Sequence, residues 1–161
     1  MRHFGPRRHA CLNTIRAIAA GIKASGFARI CFYGPPGTGK SALCLWLAEQ
    51  LDRPLIERKA SDIYGKYVGE TEANIAKAFL DAQRDGAVLM LDEVDSFLAD
   101  RRNGLPSWEV SFVNEMLSQM EQFRGVFVAS TNRMDGLDQA ALRRFDLKLR
   151  FGYLKPDRAR Q

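Results

Sequence analysis

The segment Gly34-Pro35-Pro36-Gly37-Thr38-Gly39-Lys40-Ser41 fills the pattern G-x-x-x-x-G-K-[ST], whose fixed positions each have a chemical task at a polyphosphate. Glycine lets the backbone turn with positive φ and bring successive N–H groups around a β-phosphate, and a helix opening at Lys40 points its positive dipole end at the same anion. Lys40 is expected to reach the β- and γ-phosphates, the Ser41 hydroxyl to ligate Mg²⁺, and Ala42 to complete a nucleotide-binding stretch from Gly34 to Ala42. Gly37, Gly39 and Ala42 also satisfy the dinucleotide pattern G-x-G-x-x-A, but no acidic residue closes a second strand in the right context. Glu57 is the only near candidate for that role.

Two further sets of residues could act on a phosphate held there. Asp92 follows an apolar run and is suited to hold Mg²⁺ directly or through its waters. Glu93 is then free to orient and deprotonate a water attacking the γ-phosphorus, a task worth about 10²- to 10⁴-fold in rate. A solvated acidic turn that also includes Asp95 is the plainer alternative. Asn132, after another apolar run, could fix the same water with its amide or simply make a strand-exit turn with Thr131.

Chemistry at those positions requires strands that deliver them to one edge. Ala28 to Tyr33, Pro54 to Lys59, Ala87 to Leu91, Val126 to Ala129 and Leu147 to Phe151 read as strands. The third and fourth are apolar throughout, as parallel strands covered on both faces are. Helices are expected over Cys11 to Ala24, Lys40 to Leu51, Glu70 to Ala82 and Trp108 to Met120. Alternating strands and helices give a doubly wound α/β sheet, which binds ligands outside the carboxyl ends of its strands. The phosphate loop, Asp92-Glu93 and Ser130-Thr131-Asn132 all stand at such ends.

The chain has 161 residues, 46% hydrophobic and 27% charged, which suits one domain with a real core. Cys11, Cys31 and Cys44 lack C-x-x-C spacing and read as reduced thiols of a cytoplasmic protein. The apolar stretch from Ile15 to Ile22 is interrupted by Arg16 and is too short for a membrane span. No membrane partner is expected. His3 and His9 have no companions at metal-ligand spacing. The net charge of +5 is concentrated in a basic flank: residues 1–48 carry seven Lys or Arg and no Asp or Glu. Arg2, Arg7, Arg8, Arg16, Lys23 and Arg29 are scattered with only Phe4 and Phe27 nearby, so nucleic acid is not the expected partner.

On these residues the chain resembles the AAA family of P-loop ATPases, within the AAA+ class, from about Ile30 to Phe151. GPPGTGKS is similar to the family's Walker A, Val88 to Glu93 to its Walker B, and Ser130-Thr131-Asn132 to its sensor 1 region with Asn132 the sensor. Lys66-Tyr67-Val68-Gly69-Glu70-Thr71-Glu72 resembles the substrate-gripping pore loop, and Leu137 to Asp146 the segment of the arginine fingers. The resemblance implies ATP and Mg²⁺ as ligands, a five-stranded sheet in the order 5-1-4-3-2, a hexameric homo-oligomer and a polypeptide substrate. It gives Tyr67 and Val68 the gripping role, which an exposed aromatic can fill with little sequence preference; Tyr64 is equally aromatic. It gives Arg143 and Arg144 a role in the neighbouring subunit's γ-phosphate site.

Two departures stand out. The family separates its two arginines by a short insert, whereas Arg143 and Arg144 are adjacent, which leaves open which acts and leaves a rim ion pair as the alternative. Arg101 and Arg102 have two readings, facing a neighbour or simply carrying solvated charge. The sequence also stops where the family's helical lid is expected to begin. The expected organisation is a basic flank with a helix over 1–27, the AAA large subdomain over 28–154 and the truncated start of a lid over 155–161, as in a fragment of a longer machine. Residues Cys11 to Asn13 are placed near adenine by the same analogy. The function implied is the ATP-hydrolysing core of a protein-remodelling or unfolding motor. A nucleotide switch without productive hydrolysis and a nucleic-acid-directed loader or helicase subunit are the alternatives.

Overall fold

The computed structural model of the chain describes residues 6–153 except Ser96, with side chains from Asn13 onward except that of Asn103. The segment 155–161 expected to begin a lid lies outside the described residues, as do the side chain of Cys11 and those of the first basic residues.

Helix α1 (Pro6–Ser25) leads into β1 (Ala28–Tyr33), α2 (Lys40–Gln50) and β2 (Leu55–Lys59). Helices α3 (Ala60–Ile63) and α4 (Glu70–Asp85), strand β3 (Val88–Asp92) and helix α5 (Ser107–Gln122) follow. Strand β4 (Val126–Thr131), helix α6 (Gln139–Arg144) and strand β5 (Leu147–Arg150) complete the elements. All strand pairs are parallel, in the order β2-β3-β4-β1-β5, which is the expected order read from its other edge.

Side chains on successive strand positions point to opposite faces, and the three central strands divide their apolar residues accordingly. Leu89, Leu91, Phe127 and Ala129 pack with Ile75, Phe79, Met116 and Met120 of α4 and α5. Val88, Met90, Val126, Val128, Ile30 and Phe32 pack on the other face with Ile22 of α1 and Cys44 and Leu47 of α2. Each large side chain so buried stabilises the fold by about 1.5–3 kcal/mol. Cys31 and Cys44 belong to these two cores, and burial pushes both thiols up to about 12, which leaves them protonated and unreactive.

Helix α4 has the carboxylates of Glu70 and Glu72 in its first turn and ends on Gly86 at φ 62, both favourable for a helix between loops. The short helices α3 and α6 and a 3-10 turn over Arg101–Asn103 were not expected from the sequence. Segments of three to six residues hold too few turns for a 3.6-residue period to register.

Candidate functional site

Strand β1 ends at Tyr33, and Gly34 leaves it with φ 141 while its N–H donates to the Thr131 carbonyl at 3.2 Å. A Cβ at Gly34 would stand 2.2 Å from the Phe151 carbonyl oxygen, so the close pass of the chain beyond β5 admits only glycine. Gly37 and Gly39 have φ of 71 and 94 with open space around them, so conformation rather than crowding selects glycine there. The Thr38 hydroxyl donates to the Pro35 carbonyl at 2.7 Å and braces the loop. Gly39 is the N-cap of α2 and supplies no capping side chain, which leaves first-turn N–H groups without acceptors in the helix.

Lys40 lies folded under this loop and is buried. Its Nζ donates to the carbonyls of Gly34 at 2.7 Å and Pro35 at 2.9 Å and to Asn132 Oδ1 at 3.1 Å, placing all three ammonium donors. Asn132 therefore touches the phosphate loop across 92 residues of sequence.

Asp92 is the last residue of β3, and its Oδ1 accepts the Glu93 N–H at 3.0 Å. Glu93 is exposed and has φ 59, a left-handed conformation that costs a residue with a Cβ about 1–3 kcal/mol. The surrounding turn holds it: the Val94 N–H donates to the Ser130 carbonyl at 3.1 Å, and Asp95 accepts from the Thr131 hydroxyl. Pro36 through Ala42, Asp92, Glu93 and Asn132 line one open cavity of about 270 Å³. Gly34 and Pro35 are not in its lining and meet the site through their carbonyls, which accept from the Lys40 ammonium. The donors fit a triphosphate with its magnesium ion: helix-end N–H groups, an ammonium, the Ser41 hydroxyl and two carboxylates. A larger groove of about 550 Å³ between α4 and α5 is lined by Phe79, Leu80 and Phe123 with Lys77 and three glutamines, and it has no carboxylate and no glycine-rich loop in its wall.

The remaining sequence candidates stand outside this cavity. Tyr67 is 79% exposed and Val68 wholly so, on a loop before α4 whose Lys66 and Tyr67 N–H groups both donate to Glu70 Oε2, at 2.6 and 3.1 Å. Tyr64 differs: although 45% exposed, its ring packs on Phe97 at 5.1 Å and Phe112 at 6.0 Å, which anchors it to the fold. Arg143 and Arg144 are both on α6, in unlike settings. Arg144 donates to the Ala140 carbonyl at 2.9 Å and to Glu121 Oε1 at 2.5 Å, whereas Arg143 is exposed.

Arg101 and Arg102 are in internal ion pairs rather than carrying only solvated charge. Arg102 and Asp100 lie 2.7 Å apart, and that guanidinium holds the Asp100 carboxyl down to about 2. Arg101 donates to Asp138 Oδ2 at 2.9 Å and Asn114 Oδ1 at 2.8 Å, while Asp138 Oδ1 caps α6 by accepting the Ala140 N–H at 2.8 Å. Burial raises the Asp138 pKa, but hydrogen bonds from Arg101 and Ala140 outweigh it and leave the group below the usual carboxylate value. A lowered folded pKa contributes stability that is present above the unfolded value of about 3.9 and is lost as pH falls through the folded value. Asp138→Asn is therefore expected to lower the denaturation midpoint at pH 7 and to narrow its gap from the unsubstituted chain as pH drops below about 4. Urea titrations at both pH values read this directly, and a gap that widens on acidification would contradict it.

Comparison with known proteins agrees with this geometry. Residues 30–153 match the family model described as ATPase family associated with various cellular activities (AAA). The chain is 34% identical over 130 residues to "ATP-dependent zinc metalloprotease FtsH 2" of Thermoanaerobacter sp. (strain X514), covering 76% of this chain and 26% of that protein. It is 35% identical over 138 residues to "Proteasome-activating nucleotidase 2" of Halobacterium salinarum, covering 80% of this chain and 34% of the relative. With "Peroxisomal ATPase PEX6" of Kluyveromyces lactis it shares 38% identity over 140 residues, 80% of this chain but 14% of that one. The chain thus spans about a third or less of the length of these relatives. Among solved structures, the AAA domain of FIGL-1 in complex with ADP superposes with a TM-score of 0.74 at 25% identity, covering 92% of this chain and 54% of that one. With the family model matched over residues 30–153, a range that contains the phosphate loop and the paired strand-end acids, the chain belongs to the AAA family of ATPases.

Proposed function

We propose that this chain is the ATP-binding, Mg²⁺-dependent hydrolytic core of a AAA motor that remodels or unfolds proteins. The observation that carries the reading is the meeting of Lys40, Ser41, Asp92, Glu93 and Asn132 in one cavity, because triphosphate hydrolysis needs a cation, metal ligands, a base and a water-positioning amide together. Gly37 through Ser41 would hold the phosphates through backbone N–H groups, with Lys40 leaving its loop carbonyls for phosphate oxygens. Ser41 Oγ and Asp92 would hold Mg²⁺, which when bound neutralises charge on the phosphates. Glu93 takes the proton of the attacking water at its carboxylate, and Asn132 orients that water.

Titrating the chain with ATP and Mg²⁺ and following phosphate release in a single turnover tests this. Binding with release supports it, binding without release leaves a nucleotide switch, and no binding removes the reading.

Remodelling requires a grip on polypeptide, for which the exposed Tyr67 and Val68 are the residues proposed. In a homohexameric ring, ATP state would move this loop along the substrate. Tyr67→Ala is expected to weaken capture of an unfolded polypeptide by about tenfold or more, the loss typical of an aromatic anchor, with Tyr67→Phe close to unchanged. Fluorescence anisotropy measures it, and capture retained by Tyr67→Ala would remove the loop from this role while sparing ATP hydrolysis. The two buried free thiols, Cys31 and Cys44, fit a reducing compartment such as the cytoplasm.

A further inference from the structure

We propose that Asp95 and Thr131 form a positioning pair that locks the turn carrying Glu93 to the strand exit carrying Asn132, so that the base and the water-orienting amide are presented as one unit. The inference rests on the proposed hydrolytic roles of Glu93 and Asn132. Its structural half stands without them.

Thr131 ends β4 and is 1% exposed, a setting in which a hydroxyl must be satisfied by protein. Its single proton has two acceptors in reach, Asp95 and the Arg133 carbonyl at 2.8 Å. The carboxylate's charge makes Asp95 the stronger acceptor. The same Oγ1 accepts the Arg133 N–H at 3.0 Å, closing a two-residue turn whose apex is Asn132. One side chain thus fixes the backbone on both sides of Asn132, whose Oδ1 meets Lys40.

On the other side, Asp95 stands two residues after Glu93, in the turn that gives Glu93 its positive φ. The Val94 N–H to Ser130 carbonyl bond of 3.1 Å holds the same turn against β4, and the Leu98 N–H to Val94 carbonyl bond of 3.0 Å ties the turn to the residues after it. Among the described residues, the Asp95–Thr131 contact is the bond between this turn and β4 made by side chains on both partners, and hence the one substitution can remove. A left-handed Glu93 relaxes to an ordinary conformation once its turn is released, which swings its carboxylate away from the phosphate loop.

Thr131→Val keeps the shape and removes the hydroxyl, and Thr131→Ser restores it. In the unliganded chain, amide hydrogen exchange at Val94 and Arg133 should accelerate by about tenfold or more in Thr131→Val and return in Thr131→Ser, while Met90 and Val128 keep their protection. Unchanged exchange at Val94 and Arg133 overturns the pair whether or not the chain hydrolyses ATP. In single-turnover assays Thr131→Val and Asp95→Ala should each slow hydrolysis by about tenfold or more with ATP affinity within about twofold, and the double variant should be no slower than either single one. Loss of affinity in step with rate, or additive losses, overturns the coupling. Absence of hydrolysis in the unsubstituted chain counts against the proposed function, and the exchange data then judge the pair alone. Should Thr131→Val fail to fold, Asp95→Asn, which keeps an acceptor oxygen but not its charge, should show a smaller acceleration at the same two amides, and none at all overturns the proposal.

Discussion

Glu93→Gln should bind ATP as the unsubstituted chain does and hydrolyse it about 10²- to 10⁴-fold more slowly, the loss typical of removing a general base. The amide keeps the length of the side chain and an acceptor oxygen, so the turn from Asp92 to Leu98, held by backbone bonds and by Asp95, has no reason to move. What disappears is basicity at one atom. Glu93 is exposed, whereas the loop bonds that shape the phosphate site run through Lys40, Thr38 and Gly34, so binding and turnover should separate cleanly. Equilibrium binding and single-turnover phosphate release on the same preparation measure the two quantities. Unchanged turnover would leave the hydrolysis without its base and send the search to Asp92, whose substitution should damage binding as well.

The second large effect is expected at Arg143. In P-loop enzymes an arginine supplied in trans contributes about 10³ to 10⁵ in turnover, which corresponds to roughly 4–7 kcal/mol of barrier. Adjacent arginines cannot be told apart by type, but their surroundings differ. Arg144 is spent on the Ala140 carbonyl and Glu121 and ties α6 to α5, while Arg143 is exposed on the same helix. Arg143→Ala should therefore abolish most turnover under conditions where the chain assembles, and Arg144→Ala should chiefly lower stability. Mixing gives the sharper measurement. Arg143→Ala retains Glu93, and Glu93→Gln retains Arg143, so a randomly mixed ring carries complete sites at about a quarter of its interfaces. Activity recovered from two inactive proteins requires a site shared between copies; no recovery in a demonstrated mixed ring would remove Arg143 from the neighbouring subunit's site.

The positions legible in the sequence were those whose chemistry depends on neighbours along the chain. Gly34 to Ser41 is a contiguous loop, Asp92 and Glu93 end an apolar run, and the long strands and helices bury enough residues to show their period. Helix α6 was missed because six residues hold less than two turns and its cap, Asp138, is recognised only through the bond to Ala140. Thr131 read as part of an ordinary exit turn, and nothing local marked Asp95 as its partner 36 residues away. The choice left open between Arg143 and Arg144, and the preference for Tyr67 over Tyr64, both concern residues of identical type at nearby positions.

By itself the chain's order of residues determined that a parallel sheet forms, which strand ends are polar and which loop can receive phosphate, because backbone conformation and apolar periodicity are local properties. Tertiary structure alone decided which aromatic is packed and which projects, which arginine is tied down, and that Lys40, Glu93 and Asn132 face one cavity. Those outcomes depend on contacts between segments distant in sequence, where the free energy of burial and hydrogen bonding is set by the partner rather than by the residue.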